Sequence, residues 1–387
     1  MKLINAISLG NIRTPALVLN RSVLERNCKA MADRAVRLGV NLRPHLKTAK
    51  SAEVARIATF GQQGGISVST LAEAEYFAAH GFRDQTYAVG IEVGKVDALQ
   101  GIQQMHGAKV TIITDSVDVI SKVAARARAI GATFPLLIEI DCGGGRGGVR
   151  PDAPAVLEIA NLAAINSDVI SLCGVLTHAG QSYHVNDLSA IRAVAETERS
   201  SAVRAADRLR EAGFHISTVS VGSTPTAVCA QSLTGITEIR PGVYTFFDLD
   251  QVAREICDFS DIAVSVLATV IGHNQSSERV LIDAGALALS KDTSASHLRD
   301  DMGYGLVIKD GSDAPLTGVF VAEVHQEHGL IATNGDLQAL FRALPIGSRV
   351  RVLPHHACMT AAPYDNYYVV RNASSGYEAI WSKARGW

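Results

Sequence analysis

Three short segments of this sequence contain residues whose types and spacing could do chemistry. The first is "RPHLKTAK" (43–50), in which Lys47 stands at the end of a predicted buried strand. Side chains two apart in a strand share a face, so Arg43, His45 and Lys47 are predicted to point the same way. A desolvated amine beside other cations is a usable nucleophile and base, and Lys47 could form an imine with an aldehyde. The alternative is a lysine at a strand edge with its charge in solvent, which explains Lys50 better.

The second feature is a pair of glycine-containing turns, each directly after a predicted strand. They are "VSVGSTPT" (219–226) and "RPGVY" (240–244). Backbone N–H groups of such turns commonly bind phosphate, and the hydroxyls of Ser223 and Thr224 could add donors. Each turn alone is a weak signal, because many strands end in Gly-Ser. A lysine that can form an imine, together with a phosphate site, predicts pyridoxal phosphate.

The third segment, "LPHHACMTAAPYDN" (353–366), suggests a metal site. His356 and Cys358 are two residues apart in a predicted extended chain, so both could bind one ion. A thiolate and an imidazole suit Zn²⁺ better than Mg²⁺ or Ca²⁺, and two protein ligands leave positions for water and substrate, as in a catalytic site. His355 could replace His356, although its position in the strand is wrong for pairing with Cys358. A buried cysteine beside a hydrogen-bonded loop histidine is the structural alternative.

The first two segments lie in a part of the chain where short apolar strands alternate with longer helical patterns, from residue 15 to about 245. Strands are predicted at 16–20, 41–47, 65–70, 86–90, 109–115, 135–141, 172–178, 217–222 and 237–242. The first predicted helix opens with Ser22 as its cap and Glu25 three residues on, a capping box. About eight strand–helix units favour a closed (β/α)8 barrel over an open doubly wound sheet.

After about residue 255, strands are separated by turns with little helix between them. This pattern predicts a separate antiparallel β domain. We therefore predict a barrel over residues 12–255 and a β domain over 256–387, which residues 1–11 join and which carries the metal site.

Composition excludes several classes of function. The 387 residues are 47% hydrophobic and 19% charged, and the net charge of −2 gives no electrostatic basis for binding nucleic acid. The longest apolar stretch, residues 262–271, is too short to cross a membrane, and "MKLINAISLG" lacks the pattern of a secretory signal. The six cysteines show no pairing rhythm. These features predict a cytosolic protein with free thiols.

Taken together, the motifs resemble one known family. The segments are "TPALVLNRSVLERN", "RPHLKTAKS", "GISVSTLAEAE", "GVLTHAGQSY", "VSVGSTPTA", "EIRPGVYTFFDL", "QEHG" and "LPHHACMT". They resemble the D-serine dehydratase-like enzymes, which depend on zinc and pyridoxal phosphate and have the alanine-racemase barrel of fold type III. The resemblance runs from about residue 12 to Trp387. It leaves open the role of "QEHG" (326–329).

The resemblance implies roles for individual residues. Lys47 would form the imine with the cofactor and remove the substrate α proton, and Arg146, in "EIDCGGGRGGV", would lie near the pyridine nitrogen unless it forms a salt bridge on its loop. His356 and Cys358 would bind Zn²⁺, or another divalent cation such as Mn²⁺ or Mg²⁺. Further residues would line the cofactor, with the turn 222–224 and Gly242 around its phosphate: His178, Tyr183, Gly222, Ser223, Thr224, Gly242 and Tyr244. A packed barrel histidine and a core aromatic remain the alternatives for His178 and Tyr244.

The resemblance also implies an activity. A homodimeric dehydratase would convert a D-3-hydroxy amino acid, threo-3-hydroxy-D-aspartate or D-serine, to a 2-oxo acid and ammonia. The first alternative is a retro-aldol lyase of the D-threonine aldolase type, which has His-x-Asp in place of His356 and Cys358. The second alternative is a racemase that needs no metal. The third alternative is a non-catalytic pyridoxal phosphate carrier, which would lack the C-terminal domain.

Overall fold

The computed structural model describes residues 11–372 and 376–387. Two compact units are distinguished, one of residues 30–242 with 386–387, and the other of residues 11–29 with 243–385. The predicted assignment of residues 1–10 to the β domain lies outside the described residues. The first described elements are strand β1 (Ala16–Asn20) and helix α1 (Arg21–Arg37).

The unit of residues 30–242 is built around an eight-stranded parallel sheet. Its strands are β2 (Asn41–Leu42), β3 (Ile66–Val68), β4 (Asp84–Gly90), β5 (Lys109–Thr114), β6 (Phe134–Ile140), β7 (Ile170–Thr177), β8 (Thr218–Val221) and β9 (Glu238–Ile239). The strand order is β2-β9-β8-β7-β6-β5-β4-β3. A parallel bridge between His45 and Ser67 joins the end of β2 to β3, which closes the sheet into a barrel.

Helices connect these strands, as right-handed crossovers between parallel strands require. They are α2 (Ala52–Ala58), α3 (Leu71–Ala79), α4 (Val96–His106), α5 (Val117–Ile130), α6 (Pro154–Ile165), α7 (Leu188–Glu211) and α8 (Thr224–Cys229). Side chains of Thr70, Ser116 and Asp187 cap three of them by accepting backbone N–H groups.

The other unit contains a nine-stranded sheet, in which β1 joins eight later strands. These are β10 (Val264–Asn274), β11 (Arg279–Ile282), β12 (Gly305–Lys309), β13 (Val319–Val324), β14 (Gly329–Thr333), β15 (Arg349–Pro354), β16 (Asn366–Val370) and β17 (Ala379–Ser382). The order is β11-β14-β13-β12-β15-β10-β1-β16-β17, and β11 also pairs with β10, so β10 to β15 close into an antiparallel ring. Short helices complete the unit: α9 (Leu249–Ala253), α10 (Ala286–Leu289), α11 (Leu337–Ala343) and α12 (Ala357–Ala361).

The predicted fold class, a (β/α)8 barrel followed by an antiparallel β domain, is confirmed, but one predicted barrel strand is not part of the barrel. Strand β1 pairs antiparallel with β10 and parallel with β16. Its first four residues are all buried, as in a strand at the centre of either kind of sheet. The apolar run therefore predicted a strand correctly and its partners wrongly.

Helix α1 also begins differently from the prediction. The helix starts at Arg21, and Asn20 Oδ1 accepts the N–H of Val23 at 3.2 Å. Asn20 therefore caps the helix, and the predicted capping box of Ser22 and Glu25 is wrong. Among the described residues, no helix has both the length and the apolar character needed to cross a membrane.

Candidate active site

Lys47 lies in a turn, residues 46–49, that follows β2 and the bridge residue His45 at the carboxyl end of the barrel strands, and not within the strand as predicted. Leu46 and Thr48, its neighbours in the turn, are buried, whereas Lys47 itself is exposed. In a barrel of parallel strands this end carries the loops that can hold a ligand. The position suits an amine that must meet a small molecule.

The other cations of the same segment have different surroundings. Arg43 is held by carboxylates, with Glu238 at 2.9 Å and Asp84 at 3.0 Å. Lys50 forms an ion pair with buried Glu73 at 3.1 Å, so the prediction that Lys50 carries its charge into solvent is wrong. Both residues are structural partners of acidic side chains. Lys47 is the cation of the segment that remains available to a ligand at the barrel end.

His178 follows β7 immediately and is held neutral. Its Nδ1 donates to the carbonyl of Gly222 at 2.6 Å. Burial lowers the pKa of His178 to about 3 together with the positive charges of Arg146, Lys47 and Arg240, and the hydrogen bond to Gly222 acts in the opposite direction. Because Nδ1 carries the proton, Nε2 of the neutral ring is an acceptor.

His45 has the same electrostatic surroundings. Burial lowers its pKa well below the usual value, and the charges of Lys47, Arg240, His178 and Arg146 act in the same direction. The five side chains are therefore close enough for their charges to interact, and we call them the basic cluster: His45, Lys47, Arg146, His178 and Arg240. Such a cluster favours an anionic ligand.

Arg146 is presented by a glycine-rich loop after β6. Asp141 Oδ1 accepts the N–H groups of Gly143 at 2.8 Å and Gly145 at 3.2 Å, which fixes the start of the loop. At Gly148, with φ +99°, a Cβ would lie 2.5 Å from the backbone nitrogen of Asp141, so the loop requires glycine there. Arg146 is exposed and lines a small pocket with Glu139 and His178.

Arg146 has no carboxylate within ion-pair distance anywhere in residues 11–372 and 376–387, so the alternative of a salt bridge on its loop is not what the structure has. Its charge acts on Glu139, whose pKa is raised by burial and by the charge of Asp115, and is lowered by Arg146 and Arg240. The guanidinium is therefore free to meet a ligand at the carboxyl end of the barrel.

The turn after β8 is held by hydrogen bonds within the protein. Gly222 adopts φ +142°, and a Cβ there would lie 2.6 Å from the nitrogen of Arg240. Its N–H donates to Glu198 Oε1 at 3.1 Å, and the N–H of Ser223 donates to Thr226 Oγ1 at 3.1 Å. These two N–H groups, which we predicted as phosphate donors, therefore already have partners.

The remaining residues predicted around the cofactor lie in several places. Gly242, near the end of the barrel unit, approaches the chain at residue 45 so closely that a Cβ would lie 2.7 Å from the carbonyl oxygen of His45. Tyr183 ends a short 3-10 turn, Gly180–Tyr183, and is half-buried. Tyr244 belongs to the other unit and is completely buried, and burial raises its pKa well above the usual value.

His356 and Cys358, which we call the metal pair, lie at the end of β15. His356 is the extended N-cap residue of α12, and Cys358 is in the first turn of that helix, so the helix start brings the two together rather than the predicted extended chain. His356 Nδ1 donates to Asp292 Oδ2 at 2.6 Å. Its Nε2 is therefore the nitrogen left for an ion.

The surroundings of His356 are acidic. Burial lowers its pKa, but the hydrogen bonds of Asp292 and Cys358 and the charges of Cys358 and Asp248 outweigh burial and raise it to about 11. Asp248 accepts the N–H of Ala357 at 2.9 Å, between the two members of the metal pair. Burial and the charge of Asp250 raise the pKa of Asp248 to about 7.

His355, the alternative ligand, has both ring nitrogens occupied. Nδ1 donates to the carbonyl of Gly303 at 3.1 Å, and Nε2 accepts the N–H of Ala295 at 3.2 Å. Burial lowers the pKa of His355. Its hydrogen bonds make it a structural histidine and leave His356 as the candidate ligand.

Among the described residues, no three His, Cys, Asp or Glu side chains are arranged to hold one ion. An ion on the metal pair would therefore complete its shell with water or substrate. "QEHG" forms the tip of the hairpin between β13 and β14, with Gln326, Glu327 and His328 exposed.

Sequence reasoning missed the acidic residues that orient both sites. Asp292 and Asp248 each follow or precede an apolar run and have no motif of their own, and Glu198 lies in the middle of helix α7. The available signal was weak. The pattern Asp-x-Asp at 248–250 is typical of the start of a helix, and Asp248 is indeed the N-cap of α9. The pattern does not predict that Asp248 also accepts the N–H of Ala357.

Comparison with known proteins places the chain among characterised enzymes. Residues 19–250 match the family described as "Alanine racemase, N-terminal domain", and residues 263–370 match "Putative serine dehydratase domain". The chain is 40% identical to D-threo-3-hydroxyaspartate dehydratase of Delftia sp. (strain HT23), over 98% of this chain and 99% of that one. It is 31% identical to D-serine dehydratase of Dictyostelium discoideum, over 95% and 96%.

A solved structure of such a dehydratase has the same fold as this chain. A variant of D-threo-3-hydroxyaspartate dehydratase in the metal-free form superposes with a TM-score of 0.92 at 38% identity, and covers 98% of this chain and 100% of that one.

Proposed function

Because the chain belongs to the D-serine dehydratase-like family, which joins an alanine racemase N-terminal domain to a serine dehydratase domain, we propose that it is a lyase that dehydrates a D-3-hydroxy amino acid. The substrate is threo-3-hydroxy-D-aspartate or D-serine, and the products are a 2-oxo acid and ammonia. The observation that carries the proposal is that one chain provides both an amine within a basic cluster and a His–Cys pair supported by a carboxylate.

The barrel fits pyridoxal phosphate. Lys47 supplies a primary amine in a turn at the carboxyl end of the strands, and Arg146 and Arg240 provide positive charge that suits a phosphate or a carboxylate. Ser223, Thr224 and Tyr183 contribute hydroxyls on the turns after β8 and β7. Neutral His178 provides a flat ring with its orientation fixed by Gly222.

The metal pair fits zinc. A thiolate and an imidazole nitrogen are the donors that Zn²⁺ prefers, while Mg²⁺ and Mn²⁺ prefer oxygen. The bond of Asp292 to His356 Nδ1 is the carboxylate–histidine arrangement that typically supports a ligating imidazole. The relative in the metal-free form supports a metal in this family as well.

When bound, pyridoxal phosphate supplies an electron sink for a carbanion, and zinc supplies a Lewis acid for a departing hydroxyl. The chain's own residues do the rest. Lys47 Nζ takes the α proton of the substrate, and exposed Arg146 holds an anionic group near it. His356 and Cys358 would hold the ion, and the hydrogen bond of His356 Nδ1 to Asp292 leaves Nε2 available to it. Loss of water leaves an enamine that water hydrolyses to the 2-oxo acid and ammonia.

A product assay tests the proposal. The purified protein is given pyridoxal phosphate and zinc, then D-serine or threo-3-hydroxy-D-aspartate, and pyruvate, oxaloacetate and ammonia are measured with and without a chelator. We expect products that depend on the metal. Glycine and acetaldehyde from D-threonine, with no oxo acid from either substrate, would instead establish the retro-aldol alternative. Turnover unaffected by the chelator would indicate a racemase, and a coloured protein inert with every D-amino acid would indicate a carrier.

Lys47→Ala gives a direct test of the amine. We expect the rate of dehydration to fall by at least about 10⁴-fold, because both the covalent anchor and the base are lost. Borohydride reduction of the wild-type protein with cofactor should label Lys47, and mass spectrometry identifies the residue. Lys50→Ala, which removes the neighbouring ion-paired lysine, is the control and should keep the label on Lys47. A label on another lysine in the wild type would contradict the assignment of Lys47 as the residue that binds the cofactor.

Family resemblance also supports a homodimer, and the six free cysteines support a reducing compartment such as the cytosol. Light scattering of the purified protein measures the mass directly, and a value for one chain would contradict the dimer.

A further inference from the structure

Glu198 is a buried carboxylate whose position the proposed reaction does not explain. It lies on α7, on the outside of the barrel strands, and 2% of the residue is exposed. Burying a carboxylate is costly unless hydrogen bonds compensate for its lost hydration. Burial raises the pKa of Glu198, and hydrogen bonds from Thr226, Ala179 and Gly222 lower it.

The partners of Glu198 lie on two different loops. Oε1 accepts the N–H of Ala179, in the loop after β7, at 2.8 Å and the N–H of Gly222, in the turn after β8, at 3.1 Å. Ala179 directly follows His178, and Gly222 directly precedes Ser223. One carboxylate oxygen therefore fixes the two loops that carry the residues predicted to contact the cofactor.

The peptide of Gly222 is held on both sides. Glu198 accepts its N–H, and His178 Nδ1 donates to its carbonyl at 2.6 Å. Four residues thus form a closed chain, from Glu198 through Gly222 to the ring of His178 and back through Ala179 to Glu198. The orientation of the imidazole is therefore linked to the carboxylate of Glu198 through backbone groups of Gly222 and Ala179.

A second chain of hydrogen bonds runs from the same turn. Ser223 Oγ lies 2.9 Å from Ser182 Oγ and 3.0 Å from Thr226 Oγ1, and all three hydroxyls are buried. Glu198 also hydrogen-bonds Thr226. These contacts connect the turn after β8 to the loop that carries Tyr183.

We propose that Glu198 is a positioning residue for the cofactor: it holds the His178 ring and the turn 222–224 in the arrangement that receives pyridoxal phosphate. The inference rests on the proposed function, since it assumes that these loops bind that cofactor. Charge is not essential to the role, because the two N–H groups need only an acceptor oxygen at this point.

Binding of pyridoxal phosphate to the cofactor-free protein, measured by fluorescence titration, tests the inference. Glu198→Ala should raise the dissociation constant about 10-fold to 100-fold, because two buried N–H groups lose their acceptor and the loops shift. Glu198→Gln should restore binding to within about 3-fold, because its amide oxygen can accept both N–H groups. Glu198→Asp, which withdraws the carboxylate by one methylene, should give an intermediate value and serves if the alanine variant does not fold.

Gln85→Ala is the matched control. Gln85 is also completely buried in the barrel unit, and its Nε2 donates to the carbonyls of Ala74 at 3.0 Å and Phe82 at 2.8 Å. The Gln85→Ala variant should have a lower melting temperature than the wild type and the same dissociation constant for pyridoxal phosphate. Equal binding by wild type and the alanine and aspartate variants, or an equal loss in the Gln85 and Glu198 variants, would overturn the inference. Failure of the wild type to bind would instead contradict the proposed function.

Discussion

The surroundings of two histidines of this chain shift their pKa values in opposite directions. In the barrel unit, burial and neighbouring cations lower the pKa of His178 to about 3. In the β unit, Asp292, Cys358 and Asp248 raise the pKa of His356 to about 11, against the effect of burial. In the basic cluster, the positive charges of the lysine and arginine side chains favour an anion and keep the histidine ring neutral. Around His356, the acidic side chains favour a cation. In each unit, the charge of the side chains around the site is therefore opposite to that of the ligand proposed to bind there.

The comparison predicts that the metal pair can be disabled without affecting the barrel. In Cys358→Ala we expect bound zinc to be lost and dehydration to slow by about 10³-fold or more, because the metal no longer assists the departing hydroxyl. Binding of pyridoxal phosphate should not change. Metal analysis, oxo-acid assay and cofactor titration on one sample measure all three.

Cys257→Ala is the control for that prediction, since Cys257 is a free thiol of the same unit outside the metal pair. It should keep both zinc and activity. If Cys358→Ala binds zinc in full amount, the assignment of the metal pair is wrong.

A smaller effect is expected from titrating His178. Its folded pKa is depressed, so between pH 6.5 and pH 3 the unfolded chain binds a proton that the folded chain does not. Its contribution to stability is present above pH 6.5 and is lost as the pH falls, by about 3 kcal/mol at pH 4. His178→Gln should remove this dependence, so the difference in unfolding free energy between wild type and variant should change by that amount from pH 7 to pH 4.

Urea denaturation at several pH values measures the difference. His215→Gln, at an exposed position of the same unit, should follow the wild-type pH profile. Parallel profiles for wild type and His178→Gln would mean that the basic cluster does not keep this ring neutral.

The smallest expected effect tests the orientation of His356. Asp292→Asn should weaken zinc binding by about 10-fold to 100-fold, because the neutral amide holds the imidazole less firmly and lowers its basicity. Competition with a chromogenic chelator gives the affinity. Asp336→Asn, which changes an exposed helix cap of the same unit, should leave it unchanged. An unaltered affinity in Asp292→Asn would show that the 2.6 Å bond does not support a ligand.

The sequence predicted the elements of the fold better than the partners of individual strands and side chains. The alternation of strands and helices predicted the barrel, whereas the start of α12, and not the predicted extended chain, brings His356 and Cys358 together. Strand β1 was assigned to the wrong sheet because four consecutive apolar residues pack equally well in a parallel barrel and in a mixed sheet. Local pattern does not encode which distant strand is the neighbour.

The acidic residues that orient the two sites were not predicted, for a related reason. Asp292 is 64 residues from His356 along the chain, and Glu198 is 19 and 24 residues from its two backbone partners. Sequence spacing within one element suggests which residues share a face, but these contacts join different elements. The same limit explains Lys50, whose ion pair with Glu73 could not be read from the segment that contains it.

The pairing of β1 has a consequence for biosynthesis. Ala16 pairs with Leu267, which is 267 − 16 = 251 positions later in the chain, and the entire barrel is translated between them. At roughly 5–20 residues per second, the ribosome needs on the order of 12–50 s to supply that partner. During this interval the apolar segment of β1 has no sheet to join and remains open to association with other apolar surfaces.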